Sequence, residues 1–122
     1  MHGAQKLIVV VEDDASLNQA VCRLLHAAGH STWSFDNAES ALAADLRRAD
    51  CLLLDMRLPG ISGLELFDRL SERGSTVPAI FVSAYDDAQY REQVATKSHS
   101  TFLAKPYAGP ELLNSLELLA RD

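Results

Sequence analysis

DCLLLDMRLPGISGLEL, residues 50–66, decides how the rest of the chain is read. Cys51, Leu52, Leu53 and Leu54 make a short unbroken apolar run, as expected of a central strand covered on both faces. The run stops at Asp55. Ser62 and Glu65 then have the spacing of a capping box. Leu64, Phe67 and Leu70 follow at helical spacing, and Gly74 supplies a helix stop. The stretch therefore predicts a buried strand, an acid at its end and a capped amphipathic helix.

The same alternation extends outward in both directions. Leu7 to Val11 is a continuous β-branched apolar run that ends in Glu12-Asp13-Asp14. Leu17, Val21, Leu24, Leu25 and Ala28 recur at helical spacing, and Gly29 stops that helix. Residues 31–35 form a more polar strand, placed near an edge. Asp36 and Glu39 read as a capping pair for a short Ala-rich helix reaching about residue 47. Downstream, residues 77–82 predict a fourth strand and residues 86–96 a helix with a thin apolar stripe of Ala88, Val94 and Ala95. Residues 101–104 predict a short fifth strand. Gly109 and Pro110 cap and start a last helix, with Leu112, Leu113, Leu116 and Leu119 facing inward. Five strands alternating with five helices imply an α/β fold, a parallel sheet with helices on both faces. Ligands of such sheets bind at the carboxyl ends of the strands.

At 122 residues the chain fits one domain, residues 1–122, that buries a core without staples. No apolar run approaches the roughly 20 residues of a membrane span, and no signal peptide is read, so the expectation is a cytoplasmic protein with no membrane partner. The net charge of -6 argues against a nucleic-acid surface on this domain, because phosphate backbones are bound by clustered Lys and Arg. Cys22 and Cys51 lie within apolar patterns and read as small core residues.

The strand ends hold the chemistry. The first ends in Glu12-Asp13-Asp14, the third in Asp55, the fourth in Ser83 and the fifth in Ala104-Lys105-Pro106. A parallel sheet brings these ends to one edge. Clustered carboxylates repel and call for a cation. Magnesium suits such a site, since it takes one or two carboxylates and keeps its other positions open. A metal on Asp13 and Asp55 leaves room for a phosphoryl group, Lys105 offers a compact positive charge for its oxygens, and Ser83 a hydrogen bond. Carboxylates are known nucleophiles toward phosphoryl groups. Each residue alone also has an ordinary reading. Asp13 and Asp14 suit a helix N-terminus, a lone Asp suits a turn, and Lys105 suits a solvated surface. Their joint placement, each at the end of its own strand, is what favours a site.

VVVEDD at residues 9–14, LLLDMRLPGISGLEL at 52–66, FVSA at 81–84 and FLAKPY at 102–107 together resemble the receiver domains of bacterial two-component response regulators. The RLPGISG wording is similar to the subgroup that carries a C-terminal helix-turn-helix DNA-binding domain. The resemblance implies a flavodoxin-like (βα)5 fold with strand order 2-1-3-4-5. It implies Asp55 as phosphoacceptor and Mg2+ as cofactor, with Asp13 a direct ligand, Glu12 acting through water and the Arg57 backbone carbonyl a further ligand. It implies Ser83 as switch hydroxyl, Phe102 as switch aromatic, Lys105 as phosphate contact, and a cis peptide between Lys105 and Pro106. The partner implied is a sensor histidine kinase that donates the phosphoryl group. The output surface implied is the fourth helix, fifth strand and fifth helix, through which a homodimer can form. Such a domain is not an enzyme beyond its own phosphorylation and dephosphorylation, and an effector domain can follow residue 122. Arg57 and Tyr85, flanking the acceptor and the switch serine, are expected to set the phosphoryl lifetime. One departure concerns Lys97-Ser98-His99, which replaces the family's usual Gly-Ala and predicts a fourth helix that ends differently. His99 reads as an exposed, uninvolved histidine, with pH sensitivity as the other reading.

Rival functions fare less well. Haloacid-type phosphohydrolases need a second Asp two residues after the nucleophile, where this chain has Arg57. Nucleotide or flavin binders place Gly, Ser or Thr after the first strand, where Glu12-Asp13-Asp14 would repel phosphate. A degenerate receiver, a docking module independent of phosphorylation, is the remaining alternative.

Overall fold

A computed structural model describes residues 5–84 and 88–119. The order is β1 (Leu7–Val11), α1 (Ala15–Ala27), β2 (Ser31–Phe35), α2 (Ala38–Ala43), β3 (Cys51–Asp55), α3 (Gly63–Glu72), β4 (Ala79–Ser83), α4 (Ala88–Ala95), β5 (Ser100–Ala104) and α5 (Gly109–Leu119). All strand pairs are parallel, and the sheet order is β2-β1-β3-β4-β5. The fold class and strand order expected from the sequence are those observed.

Side-chain alternation along each strand divides the core in two. Val9, Val11, Leu52, Leu54, Ala79 and Phe81 pack with residues of α2, α3 and α4, including Ala41, Leu66 and Val94. Ile8, Val10, Cys51, Leu53, Ile80 and Val82 pack with Leu25 of α1 and Leu112 and Leu116 of α5. The three central strands are apolar at nearly every position because both faces are covered. The edge strands β2 and β5 are only partly buried, which matches their polar composition.

Several boundaries differ from the sequence reading. Asn37, not Asp36, caps α2, with its Oδ1 accepting from Ser40 N at 2.7 Å. The Glu39 carboxylate accepts from Ile61 N instead. This helix ends at Ala43, well short of residue 47, because Ala44 turns extended and Asp45 captures the Arg47 amide. In α1, Leu17 is 41% exposed and Ala28 caps the helix rather than facing inward. Strand β4 starts at Ala79, since Val77 N is taken by Ser75 Oγ and Pro78 has no N–H to give a ladder. Strand β5 starts one residue earlier than expected, at Ser100. Gly109 is already helical in α5, and Glu111 reaches back to the Ala108 amide at 2.8 Å. Leu113 and Leu119 are only partly buried. The expected start of α4 at Asp86 lies outside the described residues. Helix α4 stops at Ala95, and His99 takes a left-handed φ of 54° before β5.

Candidate functional site

The sheet order reverses at β1. From β1 the chain goes to β2 on one side, then crosses to β3 on the other. The carboxyl ends of β1 and β3 therefore flank the crevice where this fold class binds ligands. Glu12 and Asp13 follow β1, and Asp55 ends β3. Carboxylate oxygens of all three lie within 4.8 Å of one another. Glu12 and Asp55 are buried, whereas Asp13 is exposed.

Lys105, just beyond β5, completes the cluster. Its Nζ donates to Glu12 Oε1 at 2.8 Å and to Asp55 Oδ2 at 3.0 Å. The peptide between Lys105 and Pro106 is cis, as the family resemblance implied. Burial alone pulls the Lys105 ammonium down, but its hydrogen bonds to Glu12 and Asp55 and their charges outweigh this and hold it above its ordinary value. Burial and the neighbouring Asp55 charge push the Glu12 carboxyl up, against the opposing pull of Lys105 and the Asp14 amide. Lys105 is thus a fixed cation, placed between two carboxylates that would otherwise repel.

Backbone contacts hold the acids in place. Arg57 N donates to Asp55 Oδ1 at 2.9 Å, so both oxygens of the Asp55 carboxylate are engaged. Asp14 N donates to Glu12 Oε2 at 3.1 Å. Asp14 itself is a plain cap, accepting from Leu17 N. Of the two acids that suited a helix start, one has that role and the other, Asp13, belongs to the cluster. Asn18, which the sequence reading passed over, donates from Nδ2 to both Glu12 O and Phe35 O and ties the ends of β1 and β2 together. A polar residue inside an amphipathic helix was the available signal. A groove of about 470 Å³ runs from Glu12 past Asn18 and Phe35 to Asp36 and Ser40.

Gly63 explains part of the RLPGISG wording. A Cβ there would collide with the Asp55 carbonyl, so only glycine lets the start of α3 approach the end of β3 this closely.

Ser83 is fully buried at the end of β4, and Lys105 N donates to its carbonyl at 2.7 Å. The neighbouring Val82 is in register with Asp55. Phe102, in β5, is partly buried against the α2–α4 side of the core, and the Arg91 guanidinium carbon lies 4.9 Å from its ring centroid. Arg57 is exposed, and its guanidinium carbon lies 5.8 Å from the ring centroid of Tyr90 on α4. Tyr85 lies outside the described residues. His99 is exposed on the approach to β5, remote in register from the strand ends that carry the cluster.

The sheet edge therefore brings Glu12, Asp13, Asp55 and Lys105 together, with Ser83 on the adjoining strand. The model of the response regulator receiver domain matches residues 8–117. The chain belongs to that family. Among curated relatives, this receiver domain is 38% identical over 115 residues to the transcriptional regulatory protein TdiR of Thauera aromatica, covering 93% of this chain and 51% of that protein. It is 30% identical over 118 residues to the response regulator protein TodT of Pseudomonas putida, covering 95% and 52%. The chain spans about half the length of these relatives. Among solved structures, the response regulator StyR superposes with a TM-score of 0.82 at 32% identity, covering 94% of this chain and 59% of that one. The receiver domain of HemR from Leptospira biflexa superposes with a TM-score of 0.86 at 24% identity, over 97% and 96%, a likeness of fold. No helix among the described residues is long and apolar enough to cross a membrane.

Proposed function

We propose that this receiver domain accepts a phosphoryl group on Asp55 from a sensor histidine kinase, in a reaction that depends on magnesium. The observation that carries the proposal is the convergence of three carboxylates and one ammonium at the switch point of the sheet. Oxygen donors of this number and closeness suit a hard divalent cation. Asp13 and Asp55 would hold magnesium directly, Glu12 through water, and Arg57 through its backbone carbonyl. When bound, magnesium neutralises charge and offers coordination to phosphoryl oxygens.

The chain's own groups do the rest. An oxygen of the Asp55 carboxylate attacks phosphorus, the P–N bond to the kinase histidine breaks, and its electron pair leaves with the imidazole. The Arg57 amide orients the Asp55 carboxylate. Lys105, already 3.0 Å from Asp55 Oδ2, turns to the phosphoryl oxygens. Ser83 hydrogen-bonds another, and Phe102 follows it inward, reshaping the surface of α4, β5 and α5 that a partner or a second copy reads. Arg57 and Tyr85 set how long the phosphoryl group lasts. The printed names of TdiR and of the C4-dicarboxylate transport transcriptional regulatory protein DctD support a transcriptional output, carried by an effector domain joined to this one. Domain 1–122 is then the switch, and DNA contact belongs to the effector.

The test is intact-protein mass after incubation with acetyl phosphate, with and without magnesium. A single phosphoryl adduct that needs magnesium supports the proposal. No adduct together with no magnesium binding would favour the phosphorylation-independent docking module.

A further inference from the structure

Arg57 has its backbone at the acceptor and its side chain against another element. Its amide is tied to Asp55 Oδ1, which fixes the residue at the mouth of the acidic cluster. Its guanidinium rests on the ring of Tyr90, with 5.8 Å between guanidinium carbon and ring centroid. That distance is within the range of a cation–π contact. The ring offers a steady seat, because Tyr90 is half-buried and packs against the α2–α4 side of the core.

A phosphoryl group on Asp55 offers the same guanidinium a second partner. The planar fork of Arg matches phosphoryl oxygens in a charge-assisted, two-bond geometry. An arginine whose own amide touches the acceptor is within reach of that group. Turning the N–H fork to the phosphoryl oxygens at Asp55 would draw the guanidinium from its place over the Tyr90 ring.

We infer that Tyr90 is a positioning residue that competes with the Asp55 phosphoryl group for the Arg57 guanidinium. The inference rests on the reading of Asp55 as phosphoacceptor. It adds a second connection between the acceptor and α4, separate from the Ser83 and Phe102 path. Capture of Arg57 by the phosphoryl group removes a contact from α4, whose fully buried anchor is Val94. Conversely, a partner that tightens Tyr90 onto Arg57 disfavours the phosphorylated form by the same factor.

Beryllofluoride with magnesium mimics the phosphoryl group and gives a reversible Kd. Its affinity is measured for wild type, Tyr90→Leu, Tyr90→Phe, Arg57→Ala and the double variant Tyr90→Leu/Arg57→Ala, each with its thermal midpoint. Breaking the Tyr90 contact no longer opposes Arg57 in the Leu variant, so its Kd tightens by about two- to fivefold, the size of an exposed cation–π contact. Tyr90→Phe keeps the ring and retains the wild-type Kd. In the Arg57→Ala background the Leu substitution changes nothing, an outcome that general loosening of α4 would not produce. An unchanged or weaker Kd in Tyr90→Leu, or an equal change in the Arg57→Ala background, overturns the inference while leaving the phosphoacceptor reading intact. Failure of every variant, wild type included, to bind beryllofluoride removes both.

Discussion

Individual residues in this domain are placed by hydrogen bonds more than by composition. Lys105 lies between Glu12 and Asp55 because two buried carboxylates at one sheet edge need a cation. The opposite end of the sheet shows the converse case in His30. Its Nδ1 accepts from Lys6 N at 3.2 Å, which requires that nitrogen to be unprotonated. Burial, and then the Lys6 charge, lower its pKa from the ordinary 6.5, with Asp50 opposing. In the window between the lowered value and 6.5 the unfolded chain binds more protons than the folded one, so stability rises with pH there. The His30 contribution is whole above 6.5 and is lost as pH falls through the folded-state value. Urea unfolding of wild type and His30→Asn between about pH 5 and 8 checks this. The wild-type curve is expected to fall more steeply toward low pH than that of His30→Asn, and identical slopes would contradict it.

At the scale of elements, α3 and α4 are opposites. Helix α3 has a Ser62 cap on the Glu65 amide and buries Leu66, Phe67 and Leu70. In α4, Val94 alone is fully buried, and its remaining ties include the contacts of Tyr90 with Arg57 and of Arg91 with Phe102. Such contacts are worth only about 0.5–1 kcal/mol each at exposed sites. The α4 amides are therefore expected to exchange hydrogen through local opening, well before those of α3 and of β3. Exchange of α4 only at the rate of global unfolding would rule this out. The thin stripe of Ala88, Val94 and Ala95 made this weakness legible from the sequence. Other element features were not. Asp36 and Asn37 are adjacent and both can cap, and only the extended backbone of Asn37 selects between them. Tyr90 and Arg57 are distant in sequence, and nothing local signals that a helix lays one against the other. The close approach at Gly63 likewise depends on two elements meeting.

In the whole molecule, one parallel sheet with a reversal at β1 turns scattered sequence positions into a site. The continuous apolar runs of β1 and β3 were readable as strands covered on both faces, and the residues after each strand were therefore readable as candidates. The strand order came from the family resemblance rather than from periodicity, because alternation of elements does not say which strand lies beside which. The central claim is that Asp55 carries the phosphoryl group. The most direct measurement traps the adduct formed with acetyl phosphate and magnesium by borohydride reduction, which converts an aspartyl phosphate to homoserine, and maps it by peptide mass. Homoserine is expected at Asp55 alone, and none in protein incubated without the phosphodonor. Homoserine at Asp13 or another acid, with Asp55 unchanged, would contradict it.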